Sequence, residues 1–163
     1  MAKRPSPAAT PVGDAYEVAV RYLAGRPHTV AEIHRHLRSK RFDQADIDHA
    51  IDKLRAQRYV GDEAFARWWL EQRDRFKPRG DRALRTELAQ KGVARDVVDT
   101  VLGERAPDAD VELARRALSR PLTRWANMPD AEKRRKIHAY LVGRGFDYDT
   151  IEEVVRREVT DEG

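Results

Sequence analysis

Apolar residues recur three and four positions apart along most of the chain, which is the spacing of one face of an α-helix. The first such segment opens at Asp14, whose distance to Glu17 is that of a capping box. Thr29 and Glu32 repeat this signal before a second segment, and Asp43 opens a third. Sustained alternation of apolar and polar residues is not seen, so the sequence predicts an all-α protein.

The same apolar pattern occurs three times along the chain. Ile33 is matched by Leu84 after 51 residues and by Ile137 after a further 53. On this alignment, one residue is gained or lost between Val93 and Val97 relative to the other two copies. Each copy predicts helix, turn, helix, tight turn and helix, and the chain is therefore expected to contain nine helices in a tandem repeat. The aligned positions are Ile33, Leu37, Lys40, Phe42, Ile47 and Ile51, then Leu84, Leu88, Lys91, Val93, Val97 and Val101, then Ile137, Leu141, Arg144, Phe146, Ile151 and Val155.

Particular residues predict where the helices begin and end. Gly92 and Gly145 occupy the tight turn of two copies, where a left-handed helix cap favours glycine, and Arg41 holds that position in the first copy. Asp62 is predicted to cap the fourth helix, and the seventh helix is predicted to stop at Pro121.

These signals divide the chain into tails and repeats. Three of the eight prolines lie within the first eleven residues, which have no helical periodicity, so a disordered N-terminal tail is expected. A three-helix unit of about 45 residues is close to the lower limit for independent folding, and neighbouring repeats should therefore support one another in an elongated, curved array. The predicted segments are a tail over 1–13, repeats over 14–61, 62–104 and 105–158, and a C-terminal tail over 159–163.

Composition limits the class of protein. Charged residues make up 37% of the 163 residues and hydrophobic residues 40%, which predicts a modest core under a densely charged surface. The absence of Cys excludes disulfides and thiol chemistry. The longest apolar stretch, 139–142, has four residues, so neither a membrane span nor a signal peptide is expected. We therefore expect a cytoplasmic protein.

No catalytic constellation is visible in the sequence. His34 and His36 lie two positions apart and would point in different directions from a helix, so they cannot share a metal ion on one face. No GxxxxGK[ST] or GxGxxG motif provides a phosphate cradle. We expect no enzymatic activity, no catalytic residue, no metal and no cofactor.

Basic residues are concentrated in one part of the chain. Arginine accounts for 25 of the 32 cationic residues, and between 73 and 85 six cations face only Asp74 and Asp81. Loop-borne arginines near a helix N-terminus can bind phosphates or carboxylates, although a solvated charged surface remains the alternative. The candidate binding residues are Arg73, Arg75, Lys77, Arg79, Arg82 and Arg85.

Two adjacent tryptophans precede this basic cluster. Trp68 and Trp69 must point about 100° apart on a helix, so they cannot enter the same core. Phe65 and Trp69 have the spacing of a buried pair, which leaves Trp68 partly exposed. Trp68 is accordingly a candidate interface anchor or base-stacking platform, or else part of a seam between repeats.

Three-helix units also suggest a duplex DNA reader, because such units place a recognition helix in the major groove in many proteins. The third helix of each repeat, however, carries several acidic residues, which repel phosphate. These are Asp46, Asp48 and Asp52, then Asp96 and Asp99, then Glu152 and Glu153.

Two motifs resemble those of the RecX family of bacterial recombination regulators, and the resemblance covers about residues 15–158. In the third repeat, LVGRGFDYDTI from Leu141 resembles the family's Arg-Gly-Phe signature. The family usually has two adjacent acids in the turn before the fourth helix, whereas here Gly61 precedes Asp62. The central motif is matched by Tyr59, Asp62, Phe65, Ala66, Arg73, Gly80, Glu87, Leu88, Lys91, Gly92 and Val93.

This resemblance implies a function that the residue pattern alone does not provide. It implies three tandem three-helix repeats in a monomer that binds the RecA recombinase filament on single-stranded DNA and inhibits its ATP hydrolysis and strand exchange. Such a protein acts in homologous recombination, DNA repair and the SOS response. It would meet single-stranded DNA through the filament, with weak direct DNA binding as a further possibility, and the basic cluster and Trp68 become candidate contacts. A helix-turn-helix-like regulator of duplex DNA is the alternative function.

Overall fold

The computed structural model describes residues 13–160, which form nine α-helices and no β-strand. The predicted all-α tandem repeat is confirmed. The predicted N-terminal tail, apart from Gly13, and residues 161–163 lie outside the described residues. The helices are α1 (Ala15–Leu23), α2 (Val30–Ser39), α3 (Gln44–Ala56), α4 (Asp62–Phe76), α5 (Asp81–Gln90), α6 (Arg95–Gly103), α7 (Ala109–Trp125), α8 (Asp130–Gly143) and α9 (Tyr148–Thr160).

Local capping fixes where the first three helices begin. The side chain of Asp14 accepts a hydrogen bond from the Tyr16 amide, and that of Asp43 accepts one from the Asp46 amide. At Thr29 both halves of the capping box form with Glu32. Side-chain acceptors satisfy amides that have no partner within the helix, so these starting points follow from the sequence alone.

The tight turn between the last two helices of each repeat is left-handed, as predicted. Gly92 and Gly145 have φ angles of 83° and 86°, and Arg41 adopts φ of 70° at the equivalent place in the first repeat. A side chain is tolerated there at some cost in backbone strain. The turn brings an aromatic or aliphatic residue back onto the helix pair, and Phe42 and Phe146 are both buried.

The chain divides into two compact units whose border lies within α4, between Phe65 and Ala66. The first unit has a core built from residues 15–54, centred on Ile33, Leu37 and Ile47. The second unit contains a core built from residues 113–159. Val159 is buried in that core, where α9 continues to Thr160.

The predicted loss or gain of one residue in the second repeat is wrong. Val98, not Val97, is the deeply buried residue, with 3% of its surface exposed, and Leu102 is buried with it. Val98 and Leu102 follow Val93 by five and nine positions, which is the spacing in the other two repeats. Two adjacent valines both fit an apolar stripe, and only packing distinguishes the one that faces inward.

Two predicted helix boundaries are also wrong. Pro121 lies inside α7 and is buried, and the helix continues to Trp125. Proline has no amide donor, but Leu122 and Trp125 beyond it pack against the core of residues 113–159, and the helix continues. Asp62 is the first residue of α4 rather than its cap, and its Oδ1 accepts a hydrogen bond from the Val30 amide at 3.1 Å. Asp62 therefore satisfies the start of α2.

Candidate functional site

The structure uses two arginines of the predicted basic cluster to hold α4 against α5. Arg73 Nε donates to Glu87 Oε2 at 2.9 Å, and Arg79 Nε lies 3.9 Å from Glu87 Oε1. The indole nitrogen of Trp69 donates to the same carboxylate at 2.9 Å. Both arginine side chains are largely buried, and the single carboxylate of Glu87 faces both of them within the fold.

Two more residues of the cluster have partners on other elements. Arg82 donates to the carbonyl oxygen of Val142 at the end of α8. Arg85 forms an ion pair with Asp99 of α6. Four of the six predicted cations are thus engaged in internal contacts, and their role in binding stays a prediction.

Trp68 is partly exposed, as expected, but Trp69 is partly exposed as well. Trp68 and Trp69 are both half-buried, with ring centroids 6.2 Å apart and ring planes tilted by 58°. Phe65, Ala66 and Leu70 supply the fully buried face of α4 instead. A role for Trp68 in binding stays a prediction.

Arg75 and Lys77 remain exposed, and they face a groove that sequence reasoning did not find. The groove has a volume of about 480 Å³ and lies between the end of α4, α7 and α8. Among its lining residues in the described chain there is no carboxylate. It is lined by five cations, Arg75, Lys77, Arg116, Arg120 and Arg144, together with Phe76, Pro78, Ala117, Ser119, Pro121 and Tyr140.

A close contact between two backbone turns fixes one wall of this basic groove. The Gly80 amide donates to the Arg144 carbonyl at 2.9 Å, and the Arg82 amide donates to the Gly145 carbonyl at 3.2 Å. A Cβ on Gly80 would lie 2.3 Å from the Gly145 oxygen, and one on Gly145 would lie 2.4 Å from the Ala83 nitrogen. Both glycines are therefore required for this approach, which places the α4–α5 loop against the turn that carries Arg144.

Several residues of the groove stand out in the sequence, but the sequence does not show that they lie together. Arg116 and Arg120 lie one turn apart on α7, and Arg144 belongs to the Arg-Gly-Phe signature. Nothing in the sequence states that these residues face Arg75 and Lys77, because that requires α7 and α8 to pack beside the α4–α5 loop. Spacing locates residues on one helix face but not across repeats.

A second crevice of about 540 Å³ adjoins the basic groove and shares Arg75 and Arg116 with it. Its lining carries charges of both signs. Arg67 binds Glu104 through two hydrogen bonds of 2.9 and 2.7 Å. Acidic and basic groups therefore alternate here, whereas the basic groove carries one sign of charge.

Arg105 forms a junction next to this second crevice. Its guanidinium pairs with Asp74 of α4, with Asp81 of α5 at 2.9 Å and with Asp110 of α7 at 3.0 Å. Burial raises the pKa of Asp110 to about 6, and the neighbouring carboxylate of Asp81 adds to this while Arg105 opposes it. Burial also raises the pKa of Asp74. One guanidinium thus compensates three carboxylates incompletely.

Histidines of the first repeat serve packing. The Tyr22 ring lies between those of His28 and His36, with centroid distances of 3.7 and 3.9 Å. His28 Nδ1 is 3.0 Å from Glu32 Oε2, and burial lowers the pKa of His28 despite this hydrogen bond. In residues 13–160, no group of three or more His, Asp or Glu side chains is arranged to hold a metal ion. Over the same range, no helix combines the length and apolar character that a membrane crossing requires.

Comparison with known proteins adds independent information. Family models for the first, second and third three-helix domains of RecX match residues 15–54, 62–102 and 108–155. A regulatory protein RecX from Chlorobaculum tepidum is 35% identical over 142 residues, covering 87% of this chain and 86% of its own length. One from Chlorobium phaeobacteroides is 32% identical over 143 residues, covering 86% and 91%.

Solved structures show the same fold. The crystal structure of RecX from Lactobacillus salivarius aligns with a TM-score of 0.80 at 22% sequence identity, covering 88% of this chain and 94% of that one. A second crystal structure of regulatory protein RecX aligns with a TM-score of 0.74, covering 90% and 71%. With a domain of the family matched in each of its three repeats, the chain belongs to the RecX family.

Proposed function

We propose that this protein binds the RecA recombinase filament on single-stranded DNA and inhibits its ATP hydrolysis and strand exchange. The observation that carries the proposal is the match of all three RecX domains, in order, to residues 15–155. Regulatory proteins named RecX match most of the chain, which supports a regulatory role.

The basic groove supports this proposal on physical grounds. A recombinase filament assembled on DNA carries phosphates along its length, and a groove lined by five cations attracts such a partner electrostatically. Acidic residues of α3 and α6, including Asp48, Asp52 and Asp99, are exposed. A duplex reader would place these helices against phosphates, so the single-stranded filament is the better partner.

The test is ATP hydrolysis by a purified RecA-type recombinase on single-stranded DNA, titrated with this protein. We expect the rate to fall at less than one molecule per recombinase subunit, because one molecule with three repeats can contact more than one subunit. Strand exchange between homologous substrates should fall over the same range. An unchanged hydrolysis rate in the presence of excess protein would contradict the proposal.

Sequestration of DNA must be separated from action on the filament. The control is an unrelated ATPase that depends on single-stranded DNA, assayed with the same DNA and the same titration. We expect that enzyme to be unaffected at concentrations that inhibit the recombinase. Equal inhibition of both enzymes would show that the protein only covers DNA, and the recombinase would not be its target.

A further inference from the structure

We infer that the basic groove is a direct binding site for the phosphate backbone of single-stranded nucleic acid, with Phe76 as a stacking surface for a base. No recombinase is needed for this binding. The inference rests on the residues that line the groove and not on the proposed function.

Within residues 13–160, the groove cations lack close counter-charge, although Arg116 interacts over a longer distance with Asp74 of the adjoining crevice. In the described part of the chain, none of the five groove cations forms an ion pair with a carboxylate. Elsewhere in the second unit arginines such as Arg67, Arg85 and Arg115 are paired with Glu104, Asp99 and Glu158. Five cations around one groove repel one another, and a bound polyanion relieves that repulsion.

The groove cations are spaced so that they can contact different phosphates. Arg116 and Arg120 are one helical turn apart, about 6 Å along the axis of α7, so each can contact a different phosphate. Arg144 lies on the opposite wall, where its guanidinium carbon is 4.3 Å from the Tyr140 ring centroid. Stacking on the ring restrains this side chain before a ligand arrives, which lowers the entropic cost of binding.

An exposed aromatic ring in the groove favours nucleic acid over an acidic protein as the ligand. Phe76 lies in the lining and is 67% exposed, and the Arg75 guanidinium carbon lies 5.0 Å from its ring centroid. An acidic peptide would use the cations but would leave this ring in water. An unstacked base can cover the ring, and stacking of this kind tolerates any sequence. Bases in a duplex are already stacked, so single strands are favoured.

The experiment measures binding of a fluorescently labelled oligothymidylate of about 15 nucleotides to the full chain by anisotropy, without recombinase. The double variant Arg116→Ala, Arg120→Ala should weaken binding at least tenfold and reduce the salt dependence by about 1.4 in the slope of log K against log salt, because two phosphate contacts are lost. The matched control is Arg134→Ala, Arg135→Ala, which removes two exposed cations of α8 outside the groove. We expect this control to retain affinity within about threefold.

A second variant tests the stacking surface. Phe76→Ala should weaken binding of the oligothymidylate about tenfold while leaving binding of an abasic oligonucleotide of the same length nearly unchanged. Circular dichroism of each variant checks that helix content is retained. A DNA duplex of the same length should bind more weakly than the single strand. A free nucleoside triphosphate should not displace the oligothymidylate at equal phosphate concentration.

Several outcomes would overturn the inference. If the double variants in the groove and on α8 weakened binding equally, binding would depend on general surface charge and not on the groove. If Phe76→Ala bound the oligothymidylate with unaltered affinity, Phe76 would not stack on a base. If a free nucleotide displaced the oligothymidylate at low concentration, the groove would be a small-molecule site. Failure of recombinase inhibition would leave this assay unaffected, because no recombinase is present in it.

Discussion

Gly80 and Gly145 show how single residues hold the groove together. They meet backbone to backbone, and neither site has room for a Cβ, since each would lie closer than 2.5 Å to a backbone atom of the other turn. Gly145 additionally has φ of 86°, which a residue with a side chain adopts only at a cost. Two constraints therefore act on Gly145 and one on Gly80.

Substitution of either glycine by alanine should destabilise the second unit. We expect Gly80→Ala and Gly145→Ala each to lower the free energy of unfolding by about 2 to 4 kcal/mol, because the backbone hydrogen bonds between the two turns must open. Urea unfolding followed by tryptophan fluorescence measures the loss. Gly143→Ala is the control: a Cβ there meets nothing within 4 Å, so a neutral or slightly stabilising effect is expected. Wild-type stability in Gly80→Ala would show that the contact is not formed.

The sequence predicts only part of this residue-scale picture. The left-handed turn at Gly145 could be predicted, because it depends on neighbours in the chain. The requirement at Gly80 could not, because the atoms that exclude a side chain belong to Gly145 and Phe146. For the same reason the sequence does not show that Arg73 and Arg79 both face Glu87 of the next helix.

At the scale of helices, Arg105 connects three elements. Its partners Asp74, Asp81 and Asp110 come from α4, α5 and α7, and the Arg105 side chain is only 11% exposed. Because one cation faces three carboxylates in a partly buried setting, the ionised form of Asp110 is disfavoured. The folded state therefore binds a proton at Asp110 more readily than the unfolded chain does.

Asp110→Asn should stabilise the protein at neutral pH. At pH 7.5 Asp110 is charged in both states, and its charge is penalised only in the folded one, so removing it should add about 1 to 2 kcal/mol to the free energy of unfolding. The amide oxygen can still accept from Arg105. The gain should shrink as the pH falls through about 6 towards 4, where the folded wild-type carboxyl is already protonated.

Urea unfolding of both proteins at pH 7.5 and pH 4 measures this difference. Asp108→Asn provides the control, because Asp108 is exposed and its side chain makes no capping hydrogen bond. We expect it to change stability by only a few tenths of a kcal/mol at either pH. If Asp110→Asn were destabilising at pH 7.5, the ionised carboxylate would be a net support for the junction rather than a cost.

The helices were the features best predicted from the sequence, and the wrong predictions of their boundaries have physical causes. Capping residues and apolar periodicity act within one helix, so the starts of α1, α2 and α3 follow from the sequence. The end of α7 does not, because packing of Leu122 and Trp125 against the core of residues 113–159 outweighs the hydrogen bond lost at Pro121. Asp62 was predicted to cap α4, but its side-chain oxygen accepts a hydrogen bond from the Val30 amide at the start of α2.

At the scale of the whole molecule, the hydrophobic cores of the first and third repeats are each local in sequence. The first contains only residues between 15 and 54, and the third-repeat core contains only residues between 113 and 159. The tandem repeat predicted this locality. It did not predict the basic groove, which lies within the second unit and depends on the packing of the third repeat against the α4–α5 loop.

Local cores predict that a core mutation in the first unit unfolds that unit without the second. Leu37 is fully buried, and Leu37→Ala should cost about 2 to 5 kcal/mol. The three tryptophans, at 68, 69 and 125, all belong to the second unit, so their fluorescence reports on it alone. In Leu37→Ala we expect helix content, measured by circular dichroism, to fall in an early transition while the fluorescence midpoint stays at the wild-type value. Leu141→Ala, at the equivalent position in the core of residues 113–159, should instead lower the fluorescence midpoint. If Leu37→Ala moved both signals together, the repeats would unfold as one cooperative structure, and the stability of the groove would depend on the first core as well.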